Sequence, residues 1–289
     1  MKPIKYLIFL FAGTFVISAV LSTQNSEHVW LDWDNYLMKI SASIPLGHNV
    51  RLSERHQVRE KAREKILSLV SISLENLYID ADHQLKDYLD SNATFAHKYS
   101  IFLETLEMGS LFIRKNKIKA DLAIPLRNKN GLLYFLPMPW QIESYNSLKE
   151  PEFTGEAYLN STVISEFPHN KAPVKYSGLI IDARDLSLHV ALAPRIYTQD
   201  GRLIFGPEFL KSDIAINRGI VAYVTELNAK LLRVRAGDTP LMTSALSSFG
   251  KNKTDLVISL EDGSKLFDDK DTVINLLKCR VVILYNPEK

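Results

Sequence analysis

Three charged residues interrupt an otherwise apolar run in "YSGLIIDARDLSLHVALAPRIY", residues 176–197: Asp182, Arg184 and Asp185. A carboxylate and a guanidinium two residues apart can hold each other in a forked pair or bind a partner or ligand. With a second carboxylate they can also do acid–base work. That last chemistry needs two carboxylates in different environments around a substrate. The chain has 33 Asp and Glu residues, so pairs of acids discriminate nothing. Alternation along a strand over Ser177–Asp182 puts Leu179, Ile181 and Ala183 on one face and Ile180, Asp182 and Arg184 on the other. Asp182 and Arg184 are then same-face neighbours near the strand's C-terminal end. Their expected job is to bond loop backbone, or each other, and fix the turn before "ALAPRI". Binding or interface contact is the alternative role for Asp182, Arg184, Asp185 and Arg195, and no catalytic residue is assigned.

Other chemistry is missing. The chain has no HExxH zinc helix, no GxSxG nucleophile elbow, no GxxxxGK[ST] phosphate loop and no GxGxxG dinucleotide turn. Its single cysteine, Cys279 in "LLKCRVVILY", permits no CxxC pair and no internal disulfide, and reads as a small buried hydrophobe. "DADH", Asp80–His83, offers too few and too local ligands for a metal shell, and helix capping by Asp80 or Asp82 is the simpler reading. "FDDKD", residues 267–271, reads as a solvated helix end rather than a calcium loop. No metal and no cofactor is expected.

The elements that must position the triplet follow from length and pattern. At 289 residues the chain has room for two modest domains, and 46% hydrophobic composition is that of a globular protein. A net charge of +2 supplies no basic field for nucleic acid. Lys2 and Lys5 precede the uncharged "YLIFLFAGTFVISAVL", which reads as a signal peptide over residues 1–22 or, uncleaved, as a membrane anchor. Residues 28–44 alternate as one or two strands broken near Asp34–Asn35. Val58, Ala62, Ile66, Leu69 and Val70 mark an amphipathic helix capped by Ser53, with interleaved basic and acidic residues on its solvated face. A second helix is expected from about Asp82 to Asn92, resuming through Leu106, and a hairpin over residues 111–124.

Residues 137–175 hold prolines at 137, 139, 151, 168 and 173, and read as a linker or excursion. Beyond it, the pattern predicts strands over 177–182, 193–197, 202–205, 241–246 and 256–259, with a hairpin at Asp200–Gly201. Helices are expected around 219–232 and within "LEDGSKLFDDKDTVINLL". "RVVILY", residues 280–285, is apolar enough to be central in a sheet. The expected fold is mixed α/β: an N-terminal lobe over 28–136 and a C-terminal domain over 176–286, with mixed or antiparallel sheets.

Four blocks, "YSGLIIDARDL", "ALAPRIYTQDGRLIFG", "KTDLVISLEDGSKL" and "LLKCRVVILY", resemble in order and approximate spacing a group of bacterial envelope proteins related to the LPP-type lipoproteins and the FlgP/FlgT-like proteins. This sequence carries Asp185 and Ser187 where that group usually has glycine. The resemblance brings no catalytic residue. It implies a non-enzymatic exported protein acting by protein–protein contacts, with a periplasmic ring or collar of the flagellar motor as its sharpest form. Homo-oligomers and other envelope or motor proteins are the implied partners. The periplasm is the implied location, soluble, anchored to the inner membrane or associated with the outer one. The rival reading is a periplasmic small-molecule-binding or carrier module, its pocket covered by the aromatic stretch from Trp140 to Phe167.

Overall fold

Residues 28–44 form two strands, separated where their alternation breaks, and the two pair antiparallel. The computed structural model describes residues 27–45, 54–106, 111–114, 117–138 and 174–288. In it, β1 (Glu27–Asp32) and β2 (Leu37–Pro45) pair from Glu27↔Ala42 to Asp32↔Leu37. The break at Asp34–Asn35 is their turn, where Asn35 donates to the Asp32 carboxylate through both its amide and its side chain. Strands β3 (Leu111–Arg114) and β4 (Lys117–Pro125) form the second hairpin, and the sheet order is β1-β2-β4-β3. Ile118, Ala120, Leu122 and Ile124 on alternate positions of β4 are buried, as a strand with one wet face requires. Helix α1 (Arg55–Glu75) packs on β2 and β4, burying Ala62, Ile66, Val70 and Leu74. Its expected cap, Ser53, lies outside the described residues, and the N-cap is Glu54 without a side-chain bond.

Helices α2 (Leu85–Ser91) and α3 (Ala93–Thr105) follow, then the short α4 (Leu132–Phe135). Here the expected capping is corrected. Helix α2 starts at Leu85 behind a Gln84–Asp87 capping box. Asp80 is occupied upstream, where its Oδ1 accepts the Asp82 and His83 amides at 2.9 Å each, a local turn that competes with helix.

The C-terminal part holds two sheets. The first is all-parallel, in the order β8 (Ala222–Val224), β12 (Val281–Leu284), β5 (Leu179–Asp182), β9 (Leu241–Ser244). Every residue of β12 is buried, which matches its central place. The second sheet is mixed, in the order β10 (Ser247–Phe249), β11 (Asp255–Ile258), β6 (Ile196–Thr198), β7 (Leu203–Phe205). Strands β6 and β7 turn at Asp200–Gly201, with Gly201 at φ 82°. The helices are α5 (Ser212–Arg218), α6 (Ala229–Ala236), α7 (Leu260–Phe267) and α8 (Lys270–Leu277). "FDDKD" is the junction of the last two, with Asp269 capping α8 through the Thr272 amide.

One expected helix, around 219–232, is absent. Gly219, at φ 75°, ends α5 instead, and "AYV" that follows is strand β8. A short apolar run buried in a parallel sheet carries no period that separates strand from helix. Helix starts only at Ala229, behind the Asn228 cap.

A single hydrophobic cluster runs from Trp33, Ile66 and Phe102 to Leu179, Ile258 and Ile283, so both predicted lobes contribute to one core. Backbone bonds cross between them: Leu192 and Ala193 donate to the Tyr78 and Ile79 carbonyls at 3.1 and 2.7 Å. Tyr36 donates its hydroxyl to the Val221 carbonyl. Each fully buried aliphatic side chain there is worth about 1.5–3 kcal/mol before entropy is counted. Arg235, 8% exposed, donates to the carbonyls of Arg218 (2.6 Å) and Gly219 (2.7 Å) and to that of Val281, capping the end of α5 from inside. Cys279 is buried at φ 56°, and burial pushes its thiol pKa up to about 11, the state of an unreactive thiol. Residues 1–22, expected to be a signal peptide or membrane anchor, and most of the proline-containing stretch, residues 139–173, lie outside the described residues.

Candidate functional site

The triplet sits where alternation places it. Leu179, Ile181 and Ala183 belong to the main core, while Ile180 faces a smaller cluster with Val282 and Leu284 beneath α6. Asp182 and Arg184 lie on that second side and form the forked pair. Arg184 Nε donates to Asp182 Oδ1 at 2.9 Å and its terminal nitrogen to Oδ2 at 2.5 Å. The Arg184 amide also donates to Oδ1, at 3.2 Å, so one carboxylate ties both the side chain and the backbone of the turn. The Arg184 hydrogen bond holds the Asp182 carboxyl below the usual range. Asp185 adds negative charge beside Arg184. Asp185 is not among the residues at positive φ, so the loop here needs no glycine.

Arg195 belongs to the other sheet, just before β6, with different partners. Its Nε donates to Glu208 Oε1 at 2.7 Å, and its amide to Asp255 Oδ1 at 2.9 Å. Burial works hardest against the Arg195 charge, but the Glu208 bond and the charges of Glu208, Asp255 and Asp80 together outweigh it and hold the guanidinium pKa above its ordinary value. This cluster contains two acids that the sequence did not single out as a pair, Asp255 at 1% exposure and Asp80 at 6%. Asp80 further accepts the Tyr88 hydroxyl at 3.0 Å and lies 3.0 Å from His83 Nδ1. Burial first, then the Asp80 charge, push the Asp255 carboxyl to about 6. Two acids in unlike environments are the ingredients of acid–base work. Here each carboxylate bonds within its own lobe, Asp80 to Asp82, His83 and Tyr88 and Asp255 to the Arg195 amide and Thr254. The carbonyls of Tyr78, Ile79 and Ala81 accept the bonds from Leu192, Ala193 and Asn252 that join the lobes. Asp255 had one sequence signal, a lone acid heading the apolar run "LVI".

The triplet has a neighbour that its sequence did not suggest. Asp182 is in register with Ser244, and Ile180 with Met242, on β9, the last strand of the parallel sheet. Met242 is 60% exposed, and Ser244 and Leu246 are exposed beside it. The Asp182–Arg184 fork therefore borders an open, uncharged sheet margin. The strand was legible in the sequence; its position at the edge was not, because edge position is a property of the sheet order.

At the opposite ends of β5 and β12, a polar cleft of about 370 Å³ is lined by Lys175, Ser177, Asp271, Asn275, Lys278 and Arg280. Lys175 and Asp271 pair across it at 2.6 Å, and Arg280 bonds Asn275 at 3.0 Å. Ligands of open parallel sheets sit at the other, carboxyl ends of the strands. The aromatic stretch expected to cover a pocket, Trp140–Phe167, lies outside the described residues. Among the described residues no three His, Cys, Asp or Glu side chains are grouped to hold a metal ion, and no helix is long and apolar enough to cross a membrane.

A family model described as Treponema pallidum Tp0624, second domain, matches residues 178–287, more than a third of the chain. The match contains the parallel and mixed sheets entire, from β5 to β12, with the triplet, Arg195 and the β9 margin. No curated protein matches the chain.

Proposed function

We propose that this chain is an exported protein of the bacterial envelope that works by protein–protein contacts, without catalysis, as part of a larger assembly. A ring or collar around the flagellar motor is the sharpest form of this reading, and it rests on the four-block resemblance. The observation that carries the reading is the sheet margin at β9. Met242 is exposed on a strand that ends its sheet, with Leu246 exposed just beyond the strand, while the charged candidates near it are engaged with one another. Open sheet edges are common sites of strand addition. Asp182 and Arg184 then border a contact surface, and Arg195 belongs to the scaffold behind it.

The test is affinity purification of the full-length protein, tagged at its C-terminus, from gently solubilised envelopes. Mass spectrometry identifies what comes with it and whether residues 1–22 persist. Motor or other envelope components are expected. A preparation containing no other envelope component refutes the reading.

A further inference from the structure

We infer that β9 pairs antiparallel with β9 of a second copy of this chain, across a two-fold axis at Thr243, joining the two parallel sheets into one. The inference deepens the protein-contact reading by naming the partner at the β9 margin, and it rests on that reading only for the claim that the margin is a contact surface.

The hydrogen-bond pattern sets the register. The amides of Leu241 and Ala245 point inward, to the carbonyls of Gly178 and Asp182, both at 2.9 Å. The two-residue period of a strand then turns the backbone groups of Met242 and Ser244 outward. Two outward residues separated by one make a self-complementary edge. In an antiparallel pair, Met242 of one copy faces Ser244 of the other, and the reverse, so each outward amide meets an outward carbonyl. Thr243 then faces its own copy as the close, non-hydrogen-bonded pair. Met242 and Leu246 add apolar area beside the new ladder.

Charge favours an identical mate. Residues 239–250, "TPLMTSALSSFG", contain no charged side chain, so two copies bring no like charges face to face along the strand. The acid bonded to this strand is Asp262, which accepts from Thr243 Oγ1 at 2.7 Å and is already paired with Lys265 at 2.8 Å. The usual guards of an edge, a lysine or a proline within the strand, are absent from Leu241–Ser244. The opposite margin of the same sheet is roofed instead. At β8, the Trp33 ring meets Tyr223 at 5.2 Å and Tyr36 bonds the Val221 carbonyl.

The test uses the full chain in mild detergent. Sedimentation over a range of concentrations is expected to show reversible dimers. Ser244→Lys is expected to weaken the dimer by more than about tenfold, since it adds two like charges to one small face, with an unchanged thermal midpoint at dilutions where both proteins are monomeric as the check on folding. The natural thiol, Cys279, is buried, so Thr243→Cys supplies the reactive one and is expected to give a covalent dimer on mild oxidation. Met242→Cys is expected to give far less, because its mate in this register is Ser244. A monomer at every concentration overturns the inference, as does a dimer indifferent to Ser244→Lys or equal cross-linking at 242 and 243. A monomer that still co-purifies with envelope proteins refutes the β9 pairing and leaves the protein-contact reading standing. A dimer cross-linked at 243 that brings down no envelope component does the reverse.

Discussion

Asp255 heads β11 at 1% exposure, with its Oδ1 accepting the Arg195 amide at 2.9 Å. Burial, reinforced by the charge of Asp80 and opposed by Arg195, moves its carboxyl from 3.8 to about 6. Between those two values the native protein holds a proton that the unfolded chain has released. Stability therefore falls as pH rises through this window, opposite to an ion-paired carboxylate, and the penalty is complete above about 6. At about 1.36 kcal/mol per pH unit, the gap from 3.8 to about 6 is worth about 3 kcal/mol. Asp255→Asn keeps the shape and an oxygen for the Arg195 amide, but it does not titrate. Relative to the parent, this variant should gain about 3 kcal/mol between about pH 3.5 and about pH 7.5. Urea unfolding followed by tryptophan fluorescence is the assay, since Trp33 is packed against Tyr36 and Tyr223 in the shared core. A difference between variant and parent that is the same at both pH values, or that shrinks with rising pH, refutes the reasoning.

Glycine positions supply a matched comparison. At Gly219, φ 75°, an added Cβ would fall 2.4 Å from Tyr36 Cζ, so Gly219→Ala should cost more than about 2 kcal/mol. At Gly201, φ 82°, the space is open, and Gly201→Ala should cost only about 1 kcal/mol in the same thermal melts. Arg235→Met leaves the buried carbonyls of Gly219 and Val281 without their donor, and should lower stability to urea by about 2–5 kcal/mol. By contrast, the Asp182–Arg184 fork is partly exposed on both sides. A double-mutant cycle with Asp182→Asn and Arg184→Met should return a coupling below about 1 kcal/mol, and a value several times larger would show a pair built into the core.

Much of the architecture follows from local pattern. The alternation of residues 28–44, the helical period from Val58 to Val70 and the Asp200–Gly201 turn each encode their element within a few residues. The apolar "RVVILY" announces a central strand because no other place in a parallel sheet hides both faces. Local signals also put Asp182 and Arg184 within reach of each other, since the turn after β5 folds Arg184 back onto Asp182 without distant information. The pattern failed where burial erases periodicity, as at Ala222–Val224, and where a side chain has rival local uses, as at Asp80.

What the sequence by itself determined is therefore the mixed α/β class, most of the elements and the nearness of Asp182 to Arg184. Only the tertiary structure decided that both lobes share one core, that Asp80 and Asp255 approach through Arg195, and that β9 is left at the margin. The physical reason is the same in each case. These facts depend on contacts between residues far apart in the chain, and on which strand is last in its sheet, and neither leaves a mark on the residues nearby.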